Sequence, residues 1–563
     1  MIFRSTDEGQ SWTAISPDLT RHDPKTLGPS GGPSTKDHTG VETYATVFTI
    51  AESPKENGTI WSGSDDGLIN ITRDNGKSWT NVTPKELGDF TRVSLIESSP
   101  HAAGTAYVAV NRYQLDDLRP YIFVTNDYGK TWKRIDAGIA ATEFVRVVRE
   151  DPVRKGLLYA GTERGVWVSF DDGGHWARLQ RNLPAVPVHD LTVKNNDLVI
   201  ATHGRSFWIM DDISALRTVT PDLSQLVSHL FAPAMAYRVG WGGAAPYMGQ
   251  PAGANPPSGA VIDYWLKDTA QTVTIEILDA KGQLVNKYTS ATDTFSVADS
   301  VRHEAVLDSL RNVGVLAASV DTNVIRRVQP EAEEAPAHPG APDRVAKAKG
   351  MNRFVWDFGY PNAAWFSRMV LWTGFLQGPP AVPGEYSVRL TVGDKTETQK
   401  FTVKIDPRTT ATQADLEEQF KLLIQIRDAV SEANNGVRTI RSVKAQVADR
   451  AKRTGNANFG AALVAKISAV EARLYSVQNR AGQDMLNYPI QLNDQLGSLY
   501  YGIGATDAKP TAQQYEVFKL LDGQLAEQMK SLKSALDGEL PKINAELGKA
   551  KLPAIVPSTE QMP

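Results

Sequence analysis

Thr125-Asn126-Asp127-Tyr128-Gly129-Lys130-Thr131-Trp132 reads as a tight turn between two strand-like runs, and the chain repeats it. The same pattern, Ser/Thr-x-Asp-x-Gly-x-x-Trp, recurs in Ser5–Trp12, Thr72–Trp79 and Ser169–Trp176. Repetition at a spacing of roughly fifty residues is the signature of propellers and solenoids. Each part of the pattern has a physical task. The carboxylates of Asp7, Asp74, Asp127 and Asp171 accept hydrogen bonds from backbone N–H groups of their own turns. Gly9, Gly76, Gly129 and Gly173 supply a positive φ without steric cost. Trp12, Trp79, Trp132 and Trp176 open the next strand with a large apolar surface.

Short strands surround each turn. In one repeat, Thr46–Ile50, Thr59–Gly63, Leu68–Thr72 and Trp79–Val82 alternate or cluster apolar residues; in another, Phe144–Val148, Leu157–Gly161, Val166–Ser169 and Trp176–Leu179 do so. Four short strands per repeat make a propeller blade. A last set, Val188–Val193, Leu198–Thr202 and Phe207–Met210, lacks the turn motif, as a terminal repeat does. About four and a half blades are counted, the first contributing only its last two strands. The expectation is therefore an incomplete ring, with upstream blades missing and the chain a C-terminal piece of a longer protein.

The motif resembles the Asp box, or BNR repeat, of sialidases and sortilins. The stretch from Asp18-Leu19-Thr20 to Asp211-Asp212-Ile213 resembles bacterial sortilin-type, glycosyl-hydrolase-like repeat proteins and is similar to xyloglucanase propellers. The matching residues are Asp65-Asp66-Gly67, Trp79-Thr80-Asn81-Val82-Thr83-Pro84, Gly161-Thr162-Glu163-Arg164-Gly165 and Thr202-His203-Gly204-Arg205. The resemblance implies a longer parent that is extracellular or periplasmic, although this chain shows no signal peptide. The hydrolase label of such proteins follows the repeat, which is structural, and fold analogy alone does not establish an activity.

Beyond residues 1–220, assigned to the blades, Pro and Gly crowd residues 239–259, and 221–258 reads as a linker. Residues 259–406 read as a β-sandwich of immunoglobulin-like type, with strands at Ala260–Leu266, Val273–Leu278, Asn352–Trp356, Gly384–Leu390 and Gln399–Val403. Residues 293–349 interrupt it with a helix and then an acidic, Pro-rich run read as disordered. Residues 407–553 are helical, a small bundle or hairpin: Leu463, Ile467, Val470, Leu474 and Val477 repeat at helical spacing, as do Phe518, Leu521, Leu525, Met529, Leu532 and Leu536. Thr511 with Gln514 forms a capping box, and Pro541 is expected to end or kink the last helix. The fold class is thus mainly β, a partial propeller of Asp-box blades followed by a sandwich and a C-terminal α-helical bundle.

The 563 residues carry a formal net charge of −4 and no cysteine. That balance argues against a general nucleic-acid binder. It leaves no disulfide, zinc thiolate or cysteine nucleophile, and no apolar run is long enough to span a membrane. The Asp-turn carboxylates are engaged by their turns, so chemistry is expected on the opposite face, in the loops joining second to third strands and in those between blades. Candidate ligand-face residues there are His22, His38, Arg112, Tyr113, Arg119, Arg164, His203 and Arg205. Asp65, Asp66, Asp116, Asp117 and Glu163 are the weak catalytic candidates, since a glycosidase needs two carboxyl groups roughly 5–10 Å apart. The alternative is that these are solvated or salt-bridged, Glu163 with Arg205 for example. The histidines lack metal-site spacing, so neither a metal nor another cofactor is expected. The expected function is a binding or scaffold protein taking a peptide, protein or glycan of unknown identity. The alternative is a glycoside hydrolase acting on plant-type β-glucan such as xyloglucan.

Overall fold

The computed structural model describes residues 1–29, 31, 43–239, 253, 255–270, 272–291, 345–366 and 369–559. The chain forms two compact units, Met1–Leu223 and Ser224–Pro563.

The first unit is a row of antiparallel meanders. Sheet I has two strands, Phe3–Arg4 and Thr13–Ala14. Sheet II orders Val47–Glu52, Ile60–Ser64, Ile69–Thr72 and Thr80–Asn81. Sheet III orders Arg92–Ser98, Ala106–Arg112, Asp117–Thr125 and Lys133–Arg134. Sheet IV orders Val145–Glu150, Leu158–Thr162, Gly165–Ser169 and Ala177–Arg178, and sheet V has three strands, Val188–Lys194, Asp197–Thr202 and Phe207–Met210. The first strands of sheets II to V lie beside one another in succession. The central strands of sheets II to IV are buried on both faces because their apolar side chains pack between neighbouring sheets: Trp61, Val93 and Val108 share one cluster, Tyr107, Val148 and Leu158 the next. Successive meanders stacked in this way make a propeller-like fold.

Every first strand of sheets II to V breaks its register at the same place. Phe48, Ser94, Arg146 and His189 are each skipped in the pairing with the second strand. A bulge re-aims the extra side chain, and here all four lie at the end of the sheet that carries the loops between second and third strands.

The second unit begins with two sheets around one core. Ser228–Leu230, Ala260–Leu266 and Gly350–Trp356 form one; Ala236–Arg238, Lys395–Ile405, Gly384–Val392, Val273–Leu278 and Leu284–Thr289 form the other. Trp356 sits between them against Phe358, Tyr386 and Phe401. The expected linker 221–258 therefore contains two edge strands. Ala236–Arg238 pairs parallel to Lys395–Ile405, a long-range contact that local composition does not encode. Of the expected insertion 293–349, residues 293–344 lie outside the described residues.

Among the described residues four α-helices complete the unit: α1 (Gln413–Thr454), α2 (Ala461–Leu474), α3 (Leu492–Gly504) and α4 (Ala512–Lys549). Thr412 caps α1, and the expected Thr511–Gln514 capping box opens α4. Pro541 does not end α4, which runs on to Lys549. Pro541 is exposed, so water can take the carbonyl it leaves without a donor. The helical core also takes Ala363, Phe366, Met369 and Leu376 from the segment between sandwich strands, so the boundary expected at 407 does not divide the packing.

Candidate functional site

The four Asp turns share one geometry. Each carboxylate Oδ1 accepts from the N–H four residues on, Ser11, Ser78, Thr131 or His175, at 2.9 Å in every copy. Oδ2 accepts from the side chain of that same residue at 2.6–2.7 Å. The Ser or Thr two positions before the Asp donates to Oδ1 and accepts from the glycine N–H. These bonds favour the ionised carboxylate: the Ser78 hydroxyl leads in lowering Asp74 from 3.8 to about 2, and Ser11 does the same for Asp7. With all these bonds made to its own turn, the carboxylate is poorly placed to act on a substrate.

Tryptophan and glycine do more than the sequence suggests. The indoles of Trp79, Trp132 and Trp176 donate to the carbonyls of Ile15, Val82 and Ile135, which belong to the outer edge of the preceding sheet. A Cβ at Gly76, Gly129 or Gly173 would stand 2.4–2.6 Å from atoms of the same three residues. Each turn therefore clasps the sheet before it. Trp12 has no such seat; its indole turns to the Gly9 carbonyl and the residue is 63% exposed.

The opposite ends of these sheets carry the candidate site. Tyr113, at the bend between the second and third strands of sheet III, stacks on Phe144 with centroids 5.0 Å apart and planes at 19°. Arg92 donates to the Tyr113 hydroxyl at 3.2 Å and to Gln114 Oε1 at 2.9 Å, with its guanidinium over Phe48. Arg146 covers Phe144 from 4.9 Å and donates to Glu163 Oε2 at 2.6 and 3.0 Å. His189 and His203 meet edge to face at 4.9 Å. Burial first, then the Arg146 charge, lowers the His189 pKa. The row Phe48, Arg92, Tyr113, Phe144, Arg146, Glu163 thus spans sheets II to IV, and the two histidines continue the face on sheet V.

The sequence candidates divide within this frame. Tyr113, Glu163 and His203 take part in the face. Arg164 and Arg205 are exposed on the same loops. Glu163 pairs with Arg146 and not with the expected Arg205, because the bulge swings Arg146 toward it. Asp117 accepts from Arg119 and Tyr121, and the Arg119 bonds hold its carboxyl well below the usual range. Arg112 lies 3.9 Å from Asp117. Asp116 is exposed in a left-handed conformation, φ 55°. His22 contacts Asp18 at 3.0 Å. His38 lies outside the described residues.

Asp66 is not a loop-face group. It is 1% exposed; Oδ1 accepts from Ser64 Oγ at 2.5 Å, Oδ2 from the Arg21 N–H at 2.8 Å. Asp65 is buried as well and accepts from the Thr46 N–H at 2.9 Å, and burial raises its carboxyl pKa. The sequence reading missed Arg92, Phe144, Arg146 and His189; the last two sit on bulges, which regular strand alternation does not reveal. No group of three or more metal-ligating side chains occurs among the described residues. Nor is any described helix long and apolar enough to cross a membrane.

No protein-family model and no curated protein matches the chain. Among solved structures, it is similar to "YCF48 bound to D1 peptide" at 16% identity and a TM-score of 0.24, over 30% of this chain and 52% of that one. It is similar to the GH74 xyloglucanase from Xanthomonas campestris at 12% identity and a TM-score of 0.28, over 47% of this chain and 38% of that one. It is also similar to the computationally designed Ika4 protein at 11% identity and a TM-score of 0.23, over 30% of this chain and 91% of that one. The chain thus spans about half the length of the first and less of the second. Likenesses this distant say nothing of what the chain does.

Proposed function

We propose that this chain is a binding or scaffold protein of the Asp-box repeat class, sortilin-like in its blades, whose loop face takes a peptide, protein or glycan. The parent is placed outside the cytoplasm, and the sandwich is assigned as an immunoglobulin-like support. One observation carries the reading. Of the five carboxylates that were candidates for acid–base work, Asp117 and Glu163 are held in ion pairs, and Asp65 and Asp66 are buried against backbone N–H groups. Only Asp116 is exposed with no bonded partner among the described residues, and one carboxylate does not make an acid–base pair. What remains is a rigid row of aromatic and cationic side chains on a propeller-like scaffold, a common disposition for recognition.

The test is a binding screen of immobilised peptides and glycans against the full chain, run beside reducing-sugar release from xyloglucan and mixed β-glucan. Saturable binding lost on Arg146→Ala together with His203→Ala is the expected result. Release of sugar by the purified chain, abolished by Asp65→Asn or Asp116→Asn, would overturn the reading in favour of a glycoside hydrolase.

A further inference from the structure

The loop face holds more cations than its carboxylates neutralise. Arg21 pairs with Asp89, Arg112 and Arg119 share Asp117, Arg146 pairs with Glu163, and Arg178 pairs with buried Glu143. Arg92, Arg164 and Arg205 have no carboxylate within 4.0 Å among the described residues. Arg92 Nε is buried without a hydrogen-bond partner, while its other nitrogens are fixed by Tyr113 and Gln114. Of the remaining carboxylates at this end, Asp65 and Asp66 are buried, with Asp65 in electrostatic reach of Arg92, and Asp116 is a single exposed charge. Arg164 and Arg205 thus stand exposed at this end of the sheets without a carboxylate partner among the described residues.

Placement adds to the charge. Arg164 lies between Leu158–Thr162 and Gly165–Ser169, and Arg205 between Asp197–Thr202 and Phe207–Met210, so both occupy the second-to-third-strand loop of consecutive sheets. Arg92 opens the first strand of the sheet before them. Guanidinium groups repeated from sheet to sheet suit a ligand with carboxylates repeated along its length.

The aromatic groups decide which such ligand. A sugar needs a bare aromatic face to stack on. Here Tyr113 and Phe144 cover each other, Arg92 lies over Phe48 and toward Tyr113, and Arg146 lies over Phe144. Tyr113 and Phe144 serve as beds for each other and for guanidinium groups, so the stacked centre of the face leaves little room for a pyranose.

We infer that the loop face binds an acidic peptide segment, whose carboxylates are taken by Arg164 and Arg205, with Arg92 adding its charge to the face. The inference rests on the reading of this face as a binding face and specifies its ligand. The test is fluorescence anisotropy of the full chain with a short fluorescein-labelled Glu-Gly repeat peptide, its Gln-Gly counterpart, and oligogalacturonate as an acidic glycan. The Glu peptide should bind roughly tenfold or more tighter than the Gln peptide, with affinity falling as salt rises. The double variant Arg164→Gln/Arg205→Gln changes only exposed side chains and should lose most of that difference while its unfolding temperature stays that of the parent; Arg92→Gln is the third arm. Equal binding of the two peptides would overturn the acidic preference and leave the binding face standing. Oligogalacturonate binding tighter than the Glu peptide would overturn the peptide assignment. Absence of binding by all three probes, in a chain that captures nothing in the wider screen either, would remove both readings.

Discussion

The two ends of the sheets in the first unit are built on opposite terms. At the turn end, the same eight-residue motif is made four times with the same bonds, the carboxylate-to-N–H distance being 2.9 Å in every copy. At the loop end sheets III to V each carry an arginine and otherwise differ: Phe48 on sheet II, Arg92 and Tyr113 on III, Arg146, Glu163 and Arg164 on IV, His189, His203 and Arg205 on V. The turn end holds neighbouring sheets together, so its chemistry is constrained to repeat. The loop end is released from that task, and apart from the bulge beneath it and an arginine little repeats. Sameness marks the scaffold and variety marks the surface that can recognise something.

The comparison can be broken most severely at a clasp. Trp176 is buried and donates to Ile135 at 2.6 Å, so Trp176→Ala should cost about 3–5 kcal/mol. Chemical unfolding followed by hydrogen exchange in sheets III and IV reads this; a loss below about 1 kcal/mol would deny the clasp its role. Next is Asp66→Ala, which tests whether a residue at the loop end can be structural. It strips Ser64 and the Arg21 N–H of a buried acceptor, for an expected loss of about 1–3 kcal/mol. An unchanged unfolding midpoint would return Asp66 to the ligand face.

Asp127→Ala removes an exposed turn acceptor, comparable to a helix cap, and should cost about 1 kcal/mol with ligand binding intact. A pH series sharpens it. Asp7 and Asp74 titrate at about 2 in the folded chain against 3.8 ordinarily, so the folded state binds fewer protons than the unfolded state between those values. Their contribution is complete above about pH 4 and is lost as pH falls toward 2. Urea midpoints measured down that range should fall less steeply for Asp74→Asn than for the parent; parallel curves would show that the turn does not prefer the ionised carboxylate. The smallest effect belongs to Trp12→Ala. With its indole exposed and turned to its own Gly9, the change should stay within about 0.5 kcal/mol, and a loss like that of Trp176→Ala would show that a seat for Trp12 exists.

How far the sequence could be read follows from the range of the interactions involved. The turns were legible because their bonds close within eight residues, and the Thr511 cap closes within three. The residue before each tryptophan, Ser11, Ser78, Thr131 or His175, escaped notice because hydroxyl and imidazole satisfy the same carboxylate oxygen. A second repeated turn was hidden for a similar reason. Ser53, Ser99 and Asp151 each precede a proline and accept from the N–H groups two and three residues on, yet they share no single residue type. The candidate site was half legible. Topology alone points to Tyr113, Glu163 and His203, whereas Arg146 and His189 depend on bulges whose register is set across strands. The choice of Arg146 over Arg205 by Glu163 is likewise a matter of geometry in space. The pairing of Ala236–Arg238 with Lys395–Ile405 lies beyond any local pattern.

The indole clasps all reach the same way, from each sheet to the one before it in the chain. The row therefore has a polarity. When a turn such as Thr125–Trp132 emerges during synthesis, its seat at Val82 has already been made, so assembly can proceed vectorially without waiting for anything downstream. Damage is directional too. Disturbing Val82 unseats Trp132 in the following sheet, while losing Trp132 leaves the turn bonds of Asp74 in the preceding sheet untouched. For anyone grafting sheets between such proteins, compatibility is demanded of the upstream neighbour's outer edge, at the positions of Ile15, Val82 and Ile135, and the incoming glycine must be kept beside it.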